Sequence, residues 1–224
     1  MATSMTFTGN GELDGGQTFD VTIANANLNK YSAAGITLNT NSSGTFKLSS
    51  GQGGQGIGGY DDNQPTAWEE VWGTGITTNA NFQKGVASTT NLSWTSPKIV
   101  GTTVQIAYAP DNDGSTSGNK SVSGAKSDEF GAGWDIVLDT GTANGGINLF
   151  LGASETEQTN QKKSDGKLKD LGGDHQEGVV GLQFKMGPVS LGGQASVERL
   201  RTQSLNDTAY YGNTSWGLAF NVND

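Results

Sequence analysis

The residue types that covalent catalysis needs are scarce in this chain. Its 224 residues include no cysteine and a single histidine, His175. A thiol nucleophile and a thiolate metal site are therefore excluded, and a Ser/His/Asp triad or a multi-histidine metal cage is nearly so. The histidine stands in a polar segment beside Asp174 and Glu177, where we expect it to be solvated. We predict a protein that is not an enzyme and that has no catalytic residue, cofactor or metal ligand.

One irregular segment, 51–89, contains several acidic side chains that can act through their charge. Four carboxylates stand there against Lys84 alone, and they are Asp61, Asp62, Glu69 and Glu70. Gathered at the narrow part of a water-filled passage, such carboxylates produce a negative potential that attracts cations. The alternative is that Glu69 only caps a helix and that the other acids are solvated.

A short helix is predicted inside this segment, at about residues 66–72. Thr66 and Glu69 have the spacing of a capping box, in which each side chain accepts a hydrogen bond from the backbone of the other residue. Trp68 and Trp72 lie one helical turn apart. We expect them to wedge the segment against its surroundings rather than to stack on a ligand.

The rest of the chain has the pattern of β-strands. Apolar and polar residues alternate most clearly over 130–138, where Trp134, Ile136 and Leu138 share one face and Asp135 lies on the other. Alternation at a period of two gives a strand one apolar and one polar face. The whole chain contains about eleven such strands, so the predicted fold is all-β.

The connections between these strands alternate between short turns and long polar loops, which places the turns at one rim of an antiparallel sheet. The polar faces consist of Thr, Asn, Asp, Gln, Ser, Lys and Gly, and these suit water better than the packed interior of a β-sandwich. An antiparallel transmembrane β-barrel, with apolar side chains outward and polar ones toward the lumen, accounts for both features. The alternative is a soluble or surface-anchored all-β module that binds glycans or acts as an adhesin. The formal net charge of -9 argues against nucleic acid as a partner.

Two segments carry a family resemblance. They are NLSWTSPKIVG at 91–101, continued by VQIAYAPD at 104–111, and FTG at 7–9 followed by LDGGQTF at 13–19. Both are similar to hairpins of the general porins of Gram-negative bacteria, especially those of alphaproteobacterial type.

This resemblance implies a bacterial outer-membrane channel for the passive diffusion of ions and small hydrophilic solutes. It also implies a sixteen-stranded barrel in contact with membrane lipid and assembly as a homotrimer. Lipopolysaccharide is a further candidate partner, because its phosphates could bind a group of lysines in one long loop; the alternative is that this loop is solvated. The lysines are Lys162, Lys163, Lys167 and Lys169. In such porins a long loop folds into the lumen as a constriction, and we assign 51–89 to that loop. Residues 1–224 would then be a single barrel domain, incomplete at both ends, that contains strands two to twelve of the sixteen.

Four side chains on the polar faces are candidates for the pore wall, and they are Lys47, Asp20, Asp135 and Lys185. In the family that the chain resembles, a basic cluster opposes the acidic loop, which is the role implied for Lys47 and Lys185. Asp20 and Asp135 make the lumen acidic on balance, so we expect a modest preference for cations. We also expect Asp135 to face water and to tolerate replacement by arginine.

Several aromatic residues are predicted to point outward and to form girdles at the two membrane interfaces. They are Trp94, Tyr108, Trp134, Tyr210, Tyr211 and Trp216. Ordinary packing between neighbouring strands is the alternative explanation for them.

Overall fold

The computed structural model of the chain describes residues 4–26, 30–61, 63–65, 82–86, 88–110, 130–141, 146–158, 161–162, 168–169, 174–199 and 210–220. The main sheet contains β1 (Ser4–Glu12), β2 (Thr18–Ala26), β3 (Lys30–Thr40), β4 (Gly44–Ser50), β5 (Asn91–Thr95), β6 (Thr103–Ala109), β7 (Phe130–Asp139), β8 (Ile147–Gln158), β11 (His175–Met186), β12 (Val189–Arg199) and β13 (Tyr210–Phe220). A two-stranded sheet between β8 and β11 consists of β9 (Gln161–Lys162) and β10 (Leu168–Lys169). A 3₁₀ helix spans Gly56–Tyr60. No helix of these ranges is long and apolar enough to cross a bilayer.

The main sheet has its eleven strands in chain order, and each strand is antiparallel to its neighbours. Sequential antiparallel pairing is the up-and-down arrangement, in which every connection joins neighbouring strands. Five short connections lie at one rim, and they are 13–17, 41–43, 96–102, 140–146 and 187–188. The connection between β2 and β3, 27–29, is also short but joins these strands at the opposite rim, so the predicted strict alternation of short turns and long loops is wrong at this point. The all-β fold and the eleven strands predicted from the alternation are therefore confirmed.

The two faces of the sheet are the reverse of those in a soluble protein. Large apolar side chains are exposed on one face, for example Ile136 at 37%, Leu182 at 52% and Leu191 at 50%. The alternate positions carry polar side chains that are buried, such as Asp135 and Glu177. We call the first face the outer face and the second the inner face. The outward direction predicted for the apolar side chains is confirmed, and this arrangement suits a sheet with hydrocarbon outside and a polar interior.

β8 and β11 reach further toward the long-loop rim than the alternation predicts. A polar loop is expected over 154–175, but β8 continues to Gln158 and β11 begins at His175. The outward positions at this end are polar, and Gln176 Nε2 donates to Glu155 Oε2 at 2.9 Å. The apolar alternation therefore stops before the strands do.

The outward direction predicted for Tyr211 is wrong. Tyr211 shares the inner face of β13 with Asn213 and Ser215, whereas Trp216 is 77% exposed on the outer face. Consecutive residues of a strand point to opposite faces. Tyr210 and Tyr211 therefore cannot both belong to an outer girdle.

Candidate functional site

One row of directly paired residues crosses the inner face, with one residue from each strand of the main sheet. We call it the inner row, and it consists of Asn10, Asp20, Thr37, Lys47, Ser93, Ala107, Asp135, Ser154, Glu177, Glu198 and Tyr211. Directly opposite residues of antiparallel strands point to the same face. The inner row is therefore a continuous strip of wall, and its β7–β12 part carries three carboxylates.

The connection between β4 and β5 folds onto this strip in two limbs. The first limb, 51–65, leaves β4 and contains the 3₁₀ helix; the second limb, 82–90, returns to β5. Gly51 N donates to Ser88 O at 2.8 Å, which joins the limbs where they meet the sheet. Further in, both limbs present backbone N–H groups to carboxylates of the wall.

Asp135 anchors both limbs at once. Its carboxylate accepts from the backbone of Ile57 at 3.0 Å and from the backbone of Val86 at 3.1 Å and 3.2 Å. Hydrogen bonds to a carboxylate are roughly twice as strong as bonds between neutral groups. Since Asp135 is fully buried, the prediction that it faces water is wrong. Arginine has no acceptor for these two amides. We therefore do not expect arginine to be tolerated at position 135.

Glu177 holds the second limb. Its Oε1 accepts from the backbone of Lys84 at 2.8 Å, and its Oε2 accepts from the backbone of Gly85 at 2.7 Å. The side chain of Lys84 turns the other way and its Nζ lies 3.3 Å from Asp61 Oδ2 in the first limb. Gln83 Nε2 donates to the carbonyl of Ile57 at 3.4 Å. The limbs are therefore bound to each other as well as to the wall.

A small apolar cluster lies between the 3₁₀ helix and the wall. It consists of Ile57, Val137, Phe150 and Val179, with Tyr60 packed against it. The hydroxyl of Tyr60 donates to Asp139 Oδ2 at 2.8 Å. Burial, and then the hydrogen bond and charge of Asp139, raise the pKa of the Tyr60 hydroxyl above its ordinary value, so this group remains a donor in alkaline solution. The inner face of the sheet is therefore polar along the inner row but apolar beneath the 3₁₀ helix.

The first limb continues across the inner face to β11 and β12. Gln194 Nε2 donates to the carbonyl of Asp61 at 3.1 Å, and Gln64 Nε2 donates to Gln194 Oε1 at 3.0 Å. Gln183 of β11 donates to the carbonyl of Asn63. At the other end, Ser49 of β4 donates to Gln55 Oε1 at 3.3 Å. The first limb is therefore bonded to strands from β4 to β12 and covers this part of the inner face.

Gly56 is expected to be essential for this docking. Its φ is +62°, and a Cβ would collide with the carboxylate of Asp135, so alanine is strained by the backbone and by its neighbour. We expect Gly56→Ala to weaken docking by about 1–3 kcal/mol, measured as faster hydrogen exchange at the Ile57 amide. Gly53→Ala is the matched control, because its Cβ has nothing within 4 Å. Equal rates of hydrogen exchange at the Ile57 amide in the two variants would contradict the role of Gly56 in docking.

Of the four acids predicted for the constriction, the structure places Asp61 on the inner face, where it is paired with Lys84. The other three, Asp62, Glu69 and Glu70, lie outside the described residues. The same holds for the helix predicted at about 66–72. The role of this acidic set stays a prediction.

The remaining candidates for the pore wall lie to either side of the docked loop. Lys47 is half-buried in the inner row on β4, and Asp20 is exposed in the same row on β2. The carboxylate of Asp20 lies 3.4 Å from Asn39 Nδ2. Lys185 is exposed near the short-turn rim of β11. These three residues share the inner face with Asp135 without being buried as it is.

The structure also brings together His175, Glu177 and Glu198, which the sequence analysis did not assign to any site. The expectation that His175 is solvated is wrong, because it is 5% exposed and its Nε2 lies 2.9 Å from Glu198 Oε1. His175 and Glu177 share the inner face of β11, and Glu198 is paired with Glu177 from β12. The period of two, continued upstream from Val179, would have placed both β11 residues on that face.

Comparisons with known proteins gave matches among solved structures only. No model of a protein family matches the chain, and no curated protein matches it by sequence. Among the solved structures, the chain is similar to Salmonella typhi OmpF in its complex with daunomycin, with 15% identity and a TM-score of 0.55 over 88% of this chain and 58% of that one. The chain thus spans less than two thirds of the length of the OmpF chain.

Two mutant forms of the Rh. blastica porin are also similar. Both have a TM-score of 0.38 over 98% of this chain and 89% of theirs, with 11% and 12% identity. The OmpF comparison bears on the fold, and it confirms the porin-type antiparallel sheet that the sequence resemblance implied.

Proposed function

We propose that the chain forms a channel through which ions and small hydrophilic solutes diffuse passively across a bacterial outer membrane. The observation that carries this proposal is the inverted sheet, which exposes its apolar face while one connection is bonded across its polar face. An apolar outer band allows strands to meet hydrocarbon. A docked loop on the inner face sets the width of a passage without any covalent chemistry.

In this proposal residues 1–224 belong to one barrel domain, and 51–89 is its constriction loop. Membrane lipid covers the exposed apolar residues, among them Leu182 and Leu191. Assembly as a homotrimer is part of the same proposal and rests on the family resemblance, whereas contact with lipopolysaccharide rests on the group of lysines at 162–169.

The proposed channel prefers cations modestly. Asp61, Asp62, Glu69 and Glu70 would supply the negative potential of the loop, with Asp20 adding to it from the wall and Lys47 and Lys185 opposing it. Because Asp135 is buried beneath the loop, we now give it an anchoring role. The carboxylate of Asp61 is offset by Lys84, so most of the preference would come from the other loop acids.

Recordings of ionic current across planar lipid bilayers test both the channel activity and the preference for cations. We expect stepwise conductance, and in a KCl gradient a reversal potential of the sign that potassium selectivity produces. The double variant Glu69→Gln with Glu70→Gln should lower the permeability ratio of potassium to chloride. Glu155→Gln is the control, because Glu155 points outward near the rim, where it bonds Gln176. A glycan-binding module would give no conductance steps, and clear anion selectivity would contradict the cation preference alone.

A further inference from the structure

Three buried side chains form a compact group of metal-binding atoms in the wall beneath the second limb. His175, Glu177 and Glu198 each offer one ligand atom, and these atoms lie within 4.8 Å of one another. The side chains are 5%, 6% and 3% exposed. Zinc holds nitrogen and oxygen ligands at about 2.0–2.2 Å, so its ligand atoms lie roughly 3–3.5 Å from each other. Small side-chain rotations would bring the three atoms to these separations.

The charges of the group favour a divalent ion. Glu177 and Glu198 are directly paired across β11 and β12, and like charges in such positions repel. Burial makes this repulsion more costly. His175 must be neutral to bind the ion, and the two carboxylates then contribute two negative charges. An ion of charge +2 offsets both carboxylates at once.

The bonds already made by Glu177 leave room for a metal ion. Each of its oxygens accepts one backbone N–H, from Lys84 and from Gly85. A carboxylate has about four acceptor positions, so one of them can bind a metal while both amides stay bonded. An ion bound there would be connected through Glu177 to the second limb of the loop.

We propose that His175, Glu177 and Glu198 form a site for a divalent transition-metal ion of the zinc type. Imidazole together with carboxylates suits zinc, cobalt or nickel, whereas calcium and magnesium prefer a shell made of oxygen alone. The site needs only the packing of the loop against β11 and β12, so it does not depend on channel activity.

Titration of the purified, folded chain in detergent micelles with Co²⁺ and with Zn²⁺ tests the site. We expect a visible Co²⁺ absorption band that saturates at one ion per chain, and displacement of that ion by Zn²⁺ but not by Mg²⁺. Glu198→Gln and His175→Ala should each lower the affinity by at least about tenfold, since even the loss of an outer-shell partner costs that much.

Glu155→Gln, the same change on the outer face of β8, should bind the ion like the unchanged chain. Glu198→Gln keeps the shape of the side chain, so it tests the site even where His175→Ala does not fold. The proposal is overturned by the absence of a saturable absorption band, or by equal affinity in Glu198→Gln and Glu155→Gln.

Discussion

Asparagine at position 135 is expected to release the loop from the wall. Asp135→Asn keeps the size of the side chain. With its oxygen in the place of Oδ2, asparagine can still accept from the amides of Ile57 and Val86, but it does so without a charge. Its NH₂ group then takes the place of Oδ1, 3.2 Å from the N–H of Val86, so that two donors face each other. A buried donor left without a partner costs about 1–3 kcal/mol, and the loss of charge adds to this. With about 3 kcal/mol lost, hydrogen exchange at both amides should accelerate roughly 100-fold. In the proposed channel, single-channel conductance should rise because the passage widens.

Asp20→Asn is the matched control for this change. It removes the same charge from the same inner row, but Asp20 is exposed on β2 and its carboxylate bonds Asn39. We expect exchange at Ile57 and Val86 to stay unchanged in this variant. Slow exchange at both amides in Asp135→Asn would contradict the anchoring role of Asp135.

Arginine on the outer face is expected to have the largest effect on stability. Ile136 lies inside β7 and is 37% exposed on the outer face. If hydrocarbon covers this face, Ile136→Arg should lower the free energy of unfolding by about 2–4 kcal/mol, as for arginine near the bilayer midplane. Urea unfolding in lipid vesicles, followed by tryptophan fluorescence, measures the change.

Ile99→Arg makes the same replacement at the short-turn rim, where Ile99 is 61% exposed. Near an interface the cost of arginine falls to about 0–1 kcal/mol. The ratio of the two losses in unfolding free energy therefore indicates how deep in the membrane Ile136 lies relative to Ile99. Equal costs at the two positions would mean that no hydrocarbon band surrounds the sheet, and the channel proposal would fail.

The strands could be predicted from the sequence because the alternation of apolar and polar residues that marks a strand is a local pattern. Trp134, Ile136 and Leu138 alternate with polar or smaller residues, and a period of two defines both the strand and its apolar face. The alternation did not predict the ends of β8 and β11 at the long-loop rim. There Glu155 and Gln176 point outward, so the outer face is polar although the backbone pairing continues.

The site was less predictable because burial there depends on contacts between distant segments. Periodicity places Asp135 on the inner face, but it does not reveal that the two limbs of the β4–β5 connection cover that face. The buried state of His175 has the same origin, since its partner Glu198 comes from the next strand of the sheet. For Asp135, the alternation therefore predicted the face correctly, whereas the expected exposure to water was wrong.

The anchors of the loop also impose an order on folding. Ile57 and its acceptor Asp135 are 78 residues apart, and Gly85 and its acceptor Glu177 are 92 apart. Contacts of such sequence separation form slowly, because a long stretch of chain must be closed first. During synthesis the loop emerges well before β7 and β11 exist. In the proposed channel we therefore expect the strands of the wall to pair first, with the carboxylates of Asp135 and Glu177 still hydrated, and the loop to dock afterwards.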